Sequence, residues 1–150
     1  MVAIETKSWI DEQGREKSRA GFAKVIVADE TRVNAEKFIT KNIKPGASIN
    51  TDASLAFVHA IVPEVDLDYR EMDSKQDKIN DWLPWVHRFI SNAKSWIIGT
   101  HHGVRAEYLD LYLAEYTYRF NRRHDPDSLF HRAISAMSQA DPKTLGSLCA

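Results

Sequence analysis

Apolar positions recur along this chain with two different periods, and the change between them divides it into a strand-rich first half and a helical second half. Val2-Ala3-Ile4-Glu5 opens as a short strand. Asp11-Glu12-Gln13-Gly14-Arg15 is a polar turn, and Gly21-Phe22-Ala23-Lys24-Val25-Ile26-Val27-Ala28 is a second apolar run. Together they predict a β-hairpin. Thr31 or Asn34 then caps a helix whose Ala35, Phe38, Ile39 and Ile43 share one face. Lys44-Pro45-Gly46 stops it, and Ala47-Ser48-Ile49-Asn50-Thr51-Asp52 follows as a strand ending on a carboxylate. Leu55, Phe57, Val58, Ile61 and Val62 predict a short helix, and residues 65–69 alternate apolar and acidic side chains as a half-buried strand does.

Residues 73–80 are polar and predict a loop. From residue 82 to 98 the period becomes helical, with Pro84 tolerated in the first turn and Trp85, Val86, Phe89, Ile90, Ala93 and Ile97 forming the apolar face. Gly99 is placed to end this helix as a C′ glycine. A second helix runs from about Val104 to Asn121, and Asp125-Pro126-Asp127-Ser128 starts a third around Leu129, Phe130, Ala133, Ile134 and Met137. Residues 141–150 are expected to fray, leaving residues 1–140 as the domain. Interleaved strands and helices followed by helices alone predict an α/β sheet covered by helices.

Composition narrows the function classes. A chain of 150 residues, 43% hydrophobic, suffices for one domain with one substantial core. No apolar run reaches the roughly 18 residues of a membrane span, and there is no basic-then-apolar leader, so a cytoplasmic protein is expected. Cys149 is the single cysteine, which excludes an internal disulfide and a cysteine zinc site. The net charge of −1 gives no overall basic excess. The distribution is less even: Arg88, Lys94, Arg105, Arg119, Arg122, Arg123 and Arg132 make the second half mildly basic. Solvated helix faces with paired charges account for this as well as a phosphate track does.

Within the helix over residues 82–98, His87 and Lys94 lie about 20° apart on the helical wheel and about 10 Å apart along the axis, with Ser91 between them. They border the apolar stripe, where side chains can reach the rim of a sheet; a partly exposed helix flank is the bland alternative. Tyr108, Tyr112, Tyr116 and Phe120 recur at helical spacing and predict a buried helix face rather than a base-stacking platform. His101 and His102 are adjacent in sequence, a poor arrangement for converging on one ion.

Several short motifs together resemble a known family. Thr51-Asp52 at a strand end, Gly99-Thr100-His101-His102, and Leu113-Ala114-Glu115 followed by Arg119-Phe120-Asn121-Arg122-Arg123 are similar to the catalytic domain of insertion-sequence transposases of the DDE superfamily, over roughly residues 20 to 134. The resemblance implies a ribonuclease H-like mixed sheet flanked by helices, incomplete here, and DNA strand cleavage and transfer by two-metal phosphoryl transfer. Counting back from Gly99 sets His87 at the third catalytic position and Lys94 at the family lysine. By resemblance, Asp52 and His87 are metal ligands for Mg²⁺ or Mn²⁺, the nitrogen donor suiting Mn²⁺ better. Lys94, Arg119, Arg122 and Arg123 are the implied DNA contacts.

The chain departs from the family pattern at two places. Trp82 and Pro84 stand where the family has His and Asn. The first catalytic Asp, normally on a strand before the hairpin, has no counterpart, since Asp11 and Glu12 sit in a turn and Glu5 is on the wrong strand. The expectation is an N-terminally truncated catalytic domain, partnered by insertion-sequence ends and by a second copy or an intact transposase. A non-catalytic DNA-binding or transposase-associating remnant, and an unrelated α/β interaction domain, remain as alternatives.

Overall fold

A computed structural model describes residues 1–70 and 82–141. The loop expected over residues 73–80 and nearly all of the expected tail lie outside the described residues. Strand β1 (Val2–Ile10) turns back antiparallel onto β2 (Glu16–Val25). Helix α1 (Arg32–Asn42) leads to β3 (Ser48–Asp52), a short α2 (Leu55–Val58) and β4 (Asp66–Arg70). The helical half comprises α3 (Pro84–His101), a 3-10 turn at Ala106–Tyr108, α4 (Leu109–Asn121) and α5 (Pro126–Gln139).

The α/β class is as the sequence predicts, but the described strands form two separate pairs and no single sheet. Among the described residues β1 pairs only with β2, and β3 pairs in parallel only with β4. The hairpin turn is closed by its own chemistry. Asp11 accepts hydrogen bonds from the backbone N–H of Gln13 at 2.9 Å and of Arg15 at 2.8 Å, while Gly14 takes φ 73°, the left-handed region that favours glycine. β1 runs further than the apolar pattern implies because Thr6 to Ile10 lie on an exposed arm, where the ladder itself sustains polar residues.

Two small cores hold the rest. Ala35 and Ile39 of α1 pack with Ala56 and Ala60, and Ile49 and Leu67 close this cluster from β3 and β4. Thr31 caps α1, its hydroxyl accepting from the Asn34 N–H at 3.3 Å. The second core lies between α3 and α4. Phe89 is 2% exposed and meets Tyr116 and Phe120 edge-on, at centroid separations of 5.1 and 4.8 Å. The aromatic stripe of α4 is therefore a packing face.

Helix α3 does not stop at Gly99. It continues to His101, and His102 provides the left-handed cap with φ 53°, its N–H bonded to the Ile98 carbonyl at 3.0 Å. His101 packs edge-on between Trp96 and Tyr112, at 4.9 and 4.5 Å, and that contact offsets the roughly 1 kcal/mol cost of a glycine inside a helix. The start of α4 is correspondingly later than the apolar period suggests.

Glu36 joins α1 to the segment after α2. Its carboxylate accepts from the Ile61 N–H at 2.9 Å and from Arg32 at 2.7 Å. The Ile61 N–H first, then Arg32, hold Glu36 below the ordinary glutamate range. A carboxylate depressed on folding contributes stability above its unfolded pKa and loses it as pH falls through the folded value. The urea midpoint should accordingly fall on acidification, and Glu36→Gln should flatten part of that decline. An identical acid limb in the variant would count against this role, although Asp11 and Asp125, depressed likewise, retain the remainder.

Candidate functional site

Asp52 ends β3, as the sequence predicts, and is exposed. His87 and Lys94 both lie on α3, His87 half-buried near its start and Lys94 exposed. The start of α3 is tethered to the end of β3: the Trp82 indole N–H donates to the Thr51 carbonyl at 2.7 Å, one residue before Asp52. Thr51 itself is buried and its hydroxyl donates to the Asp52 carbonyl at 2.7 Å. Trp82, read from sequence as a departure from the family pattern, is thus what fastens the His87 helix to the Asp52 strand. A second indole, Trp85, donates to Ser18 at 3.1 Å and fixes α3 over the hairpin.

The His87 Nε2 atom is buried and has no hydrogen-bond partner among the described residues. A donor set of an imidazole nitrogen and a strand-terminal carboxylate is of the right kinds for a transition-metal ion. It is incomplete. No group of three His, Cys, Asp or Glu side chains is brought together among the described residues. The two implied ligands therefore do not by themselves make a two-metal site, and no metal-dependent step is derived from them. His101 and His102 make no pair, since one packs among aromatic rings and the other caps the helix in solvent.

The Arg-x-Asn-Arg-Arg segment is engaged chiefly within the molecule. The Asn121 side-chain amide lies along the outer edge of β2, accepting from the Ala23 N–H at 2.7 Å and donating to the Ala23 carbonyl at 3.0 Å. It completes the ladder as another strand would. Arg123 donates to the carbonyls of Gly21 and Ala20 and to that of Phe120, and its guanidinium stacks on the Phe120 ring at 4.0 Å. Burial first, then the neighbouring Arg19 charge, pull Arg123 below its ordinary pKa. Arg122 stacks on Tyr118 at 3.7 Å. Among the described residues Arg119 makes an exposed pair with Glu115 at 3.4 Å, the kind of contact a phosphate can displace.

Sequence reasoning missed Asn121. The signal available to it was the run Ala20-Gly21-Phe22-Ala23, whose small residues permit another element to approach the backbone of β2. Ala23 and Ala20 are buried, and a side chain at position 21 would meet the Glu5 carboxylate, which crosses the strands to accept from the Phe22 N–H at 3.0 Å.

An α/β domain with a helix fastened to a carboxylate-ended strand, and an arginine-rich helix end locked to a hairpin, defines the class of domain. The chain belongs to the family described as the ISXO2-like transposase domain, which it matches over residues 2–121. It is thus an insertion-sequence transposase domain of the DDE superfamily, a family that acts on DNA and generally uses divalent metal ions. The match takes in the whole hairpin and ends on Asn121, the residue that clamps β2. No curated protein and no solved structure matches the chain. No described helix is long and apolar enough to cross a membrane.

Proposed function

We propose that this chain is the DNA-engaging part of a ribonuclease H-like transposase catalytic domain, working in the cytoplasm on insertion-sequence ends. The observation that carries the reading is the Trp82–Thr51 hydrogen bond, which ties the start of the His87 helix to the end of the Asp52 strand. In this reading Asp52 and His87 are metal ligands for Mg²⁺ or Mn²⁺, and Lys94 holds a DNA phosphate two helical turns further along α3. Arg119, paired only at the surface, is the arginine best able to exchange its partner for phosphate. Arg122 and Arg123 act mainly by holding α4 in place, and contact DNA only with the donors left over.

Two donors cannot clamp a pair of ions about 4 Å apart, so in this reading the described residues engage DNA without cutting it, and a partner polypeptide completes the site. Exposed apolar side chains support such a partner, a second copy or an intact transposase. Phe130, Ile134 and Met137 form a stripe on α5 at 69%, 49% and 71% exposure. β1 also presents an unpaired edge among the described residues.

The test is duplex DNA binding as a function of salt. Lys94→Gln and Arg119→Gln should each lower the log–log slope by roughly one, while leaving the urea midpoint close to that of the parent. Arg123→Gln should instead lower the midpoint, because its carbonyl partners lose their donor. Unchanged slopes for both Lys94→Gln and Arg119→Gln would remove α3 and α4 as the DNA-contacting elements.

A further inference from the structure

The outward face of the hairpin carries a cluster that none of the family motifs includes. Ladder register sets Lys7 opposite Arg19 and Trp9 opposite Lys17. The opposite face, with Ser18 and the buried Ala20, is turned inward, since Trp85 of α3 bonds Ser18 and Ala20 is 7% exposed. Lys7, Trp9, Lys17 and Arg19 therefore project to solvent, and all are exposed. Like charges directly opposite each other in an antiparallel pair are destabilising. Here two of them flank a shallow cavity of about 380 Å³ lined by Lys7, Ser8, Trp9 and Arg19. Two exposed aromatic rings accompany the charges: Trp9 is 47% exposed and Phe22 61%, with the Lys7 ammonium 6.0 Å from the Phe22 ring centre.

This cationic face is continuous with the end of α4. Arg123 bonds the carbonyls of Ala20 and Gly21, immediately after Arg19. A second cavity, of about 290 Å³, lies beyond it, lined by Trp96, Tyr116, Arg119, Phe120 and Arg123. Cations that follow a backbone, interleaved with rings on which bases stack, are the elements of a nucleic-acid groove.

We propose that the outward face of the β1–β2 hairpin is a second DNA-contacting surface, on which Lys7, Lys17 and Arg19 hold successive phosphates and Trp9 stacks against a base or sugar. The proposal rests on the reading of this chain as a DNA-engaging transposase domain, and extends the DNA path from the Arg119 end of α4 across β2 onto the hairpin. The exposed Lys7–Glu5 ion pair at 3.7 Å is one a phosphate can displace, so the opposed cations favour a polyanion as occupant, and the interleaved rings favour DNA over an anionic lipid surface.

The test uses the full chain, a fluorescein-labelled DNA duplex, the matching single strand and phosphatidylserine vesicles. The double variant Lys7→Gln with Arg19→Gln should lower the log–log salt slope for duplex by about two, one for each phosphate contact removed. Its urea midpoint should stay close to that of the parent, because relief of the opposed like-charge pair offsets loss of the exposed Lys7–Glu5 ion pair at 3.7 Å. Trp9→Ala should weaken single-strand binding by at least about fivefold, and Trp9→Phe should restore most of it. If the parent chain binds duplex but the double variant has the same slope and affinity, the hairpin surface is wrong and the broader DNA reading stands. If the parent chain does not bind DNA even at low salt, both fail. Binding of the parent chain to vesicles as tight as to DNA overturns the hairpin proposal.

Discussion

Replacing Asn121 with alanine is expected to cost about 2–4 kcal/mol, the penalty for leaving a partly buried N–H and carbonyl without partners. That is a large fraction of the roughly 5–15 kcal/mol by which a domain of this kind is stable. The reason is geometric: one side chain satisfies both the N–H and the carbonyl of Ala23, and Ala23 is fully buried, so solvent cannot replace it without opening the joint. Asn121→Asp should also be destabilising. Its carboxylate still accepts from the Ala23 N–H but faces the Ala23 carbonyl with no proton to donate. Urea unfolding measures the loss, and amide hydrogen exchange locates it, with the Ala23 N–H exchanging faster in the variant. An unchanged midpoint together with a protected Ala23 amide would show that Asn121 is not the clamp.

The second large effect is an expected absence of turnover. The purified chain should show no Mg²⁺- or Mn²⁺-dependent nicking or strand transfer, because Asp52 and His87 are the two metal donors proposed and no third converges with them among the described residues. His87→Ala and Asp52→Ala should leave DNA affinity in metal-free buffer close to that of the parent, as neither contributes a phosphate contact. Gel assays on supercoiled plasmid with either ion check this. Robust Mn²⁺-dependent nicking abolished by Asp52→Ala would mean that another residue completes the site.

How far the sequence could be read follows from the range of each interaction. The Thr31 cap, the Asp52 strand end and the hairpin turn at Gly14 depend on neighbours a few residues away, and each lies where local pattern puts it. Local signals misled at Gly99, where the packing of His101 against Trp96 and Tyr112 carries the helix on to a cap at His102. The outer half of β1 has no apolar face to mark it in the sequence, since Trp9 and Ile10 point to opposite sides, and pairing with β2 makes it a strand. The resemblance directed attention to the arginines after Phe120 as phosphate contacts. The β2 partners of Arg123, like those of Asn121, lie about a hundred positions earlier, and no periodicity reports a contact at that distance. The same holds for Trp82, whose bond to Thr51 crosses from the helical half to the strand-rich half.

The central claim is that this transposase-family chain engages DNA through a cationic path, and the salt dependence of its affinity for duplex DNA measures that path directly. A steep, linear fall in log affinity against log salt, with a slope of about −3 or steeper, is the predicted result, corresponding to several phosphates neutralised at once. No detectable binding at low salt, or an affinity indifferent to salt, would contradict it.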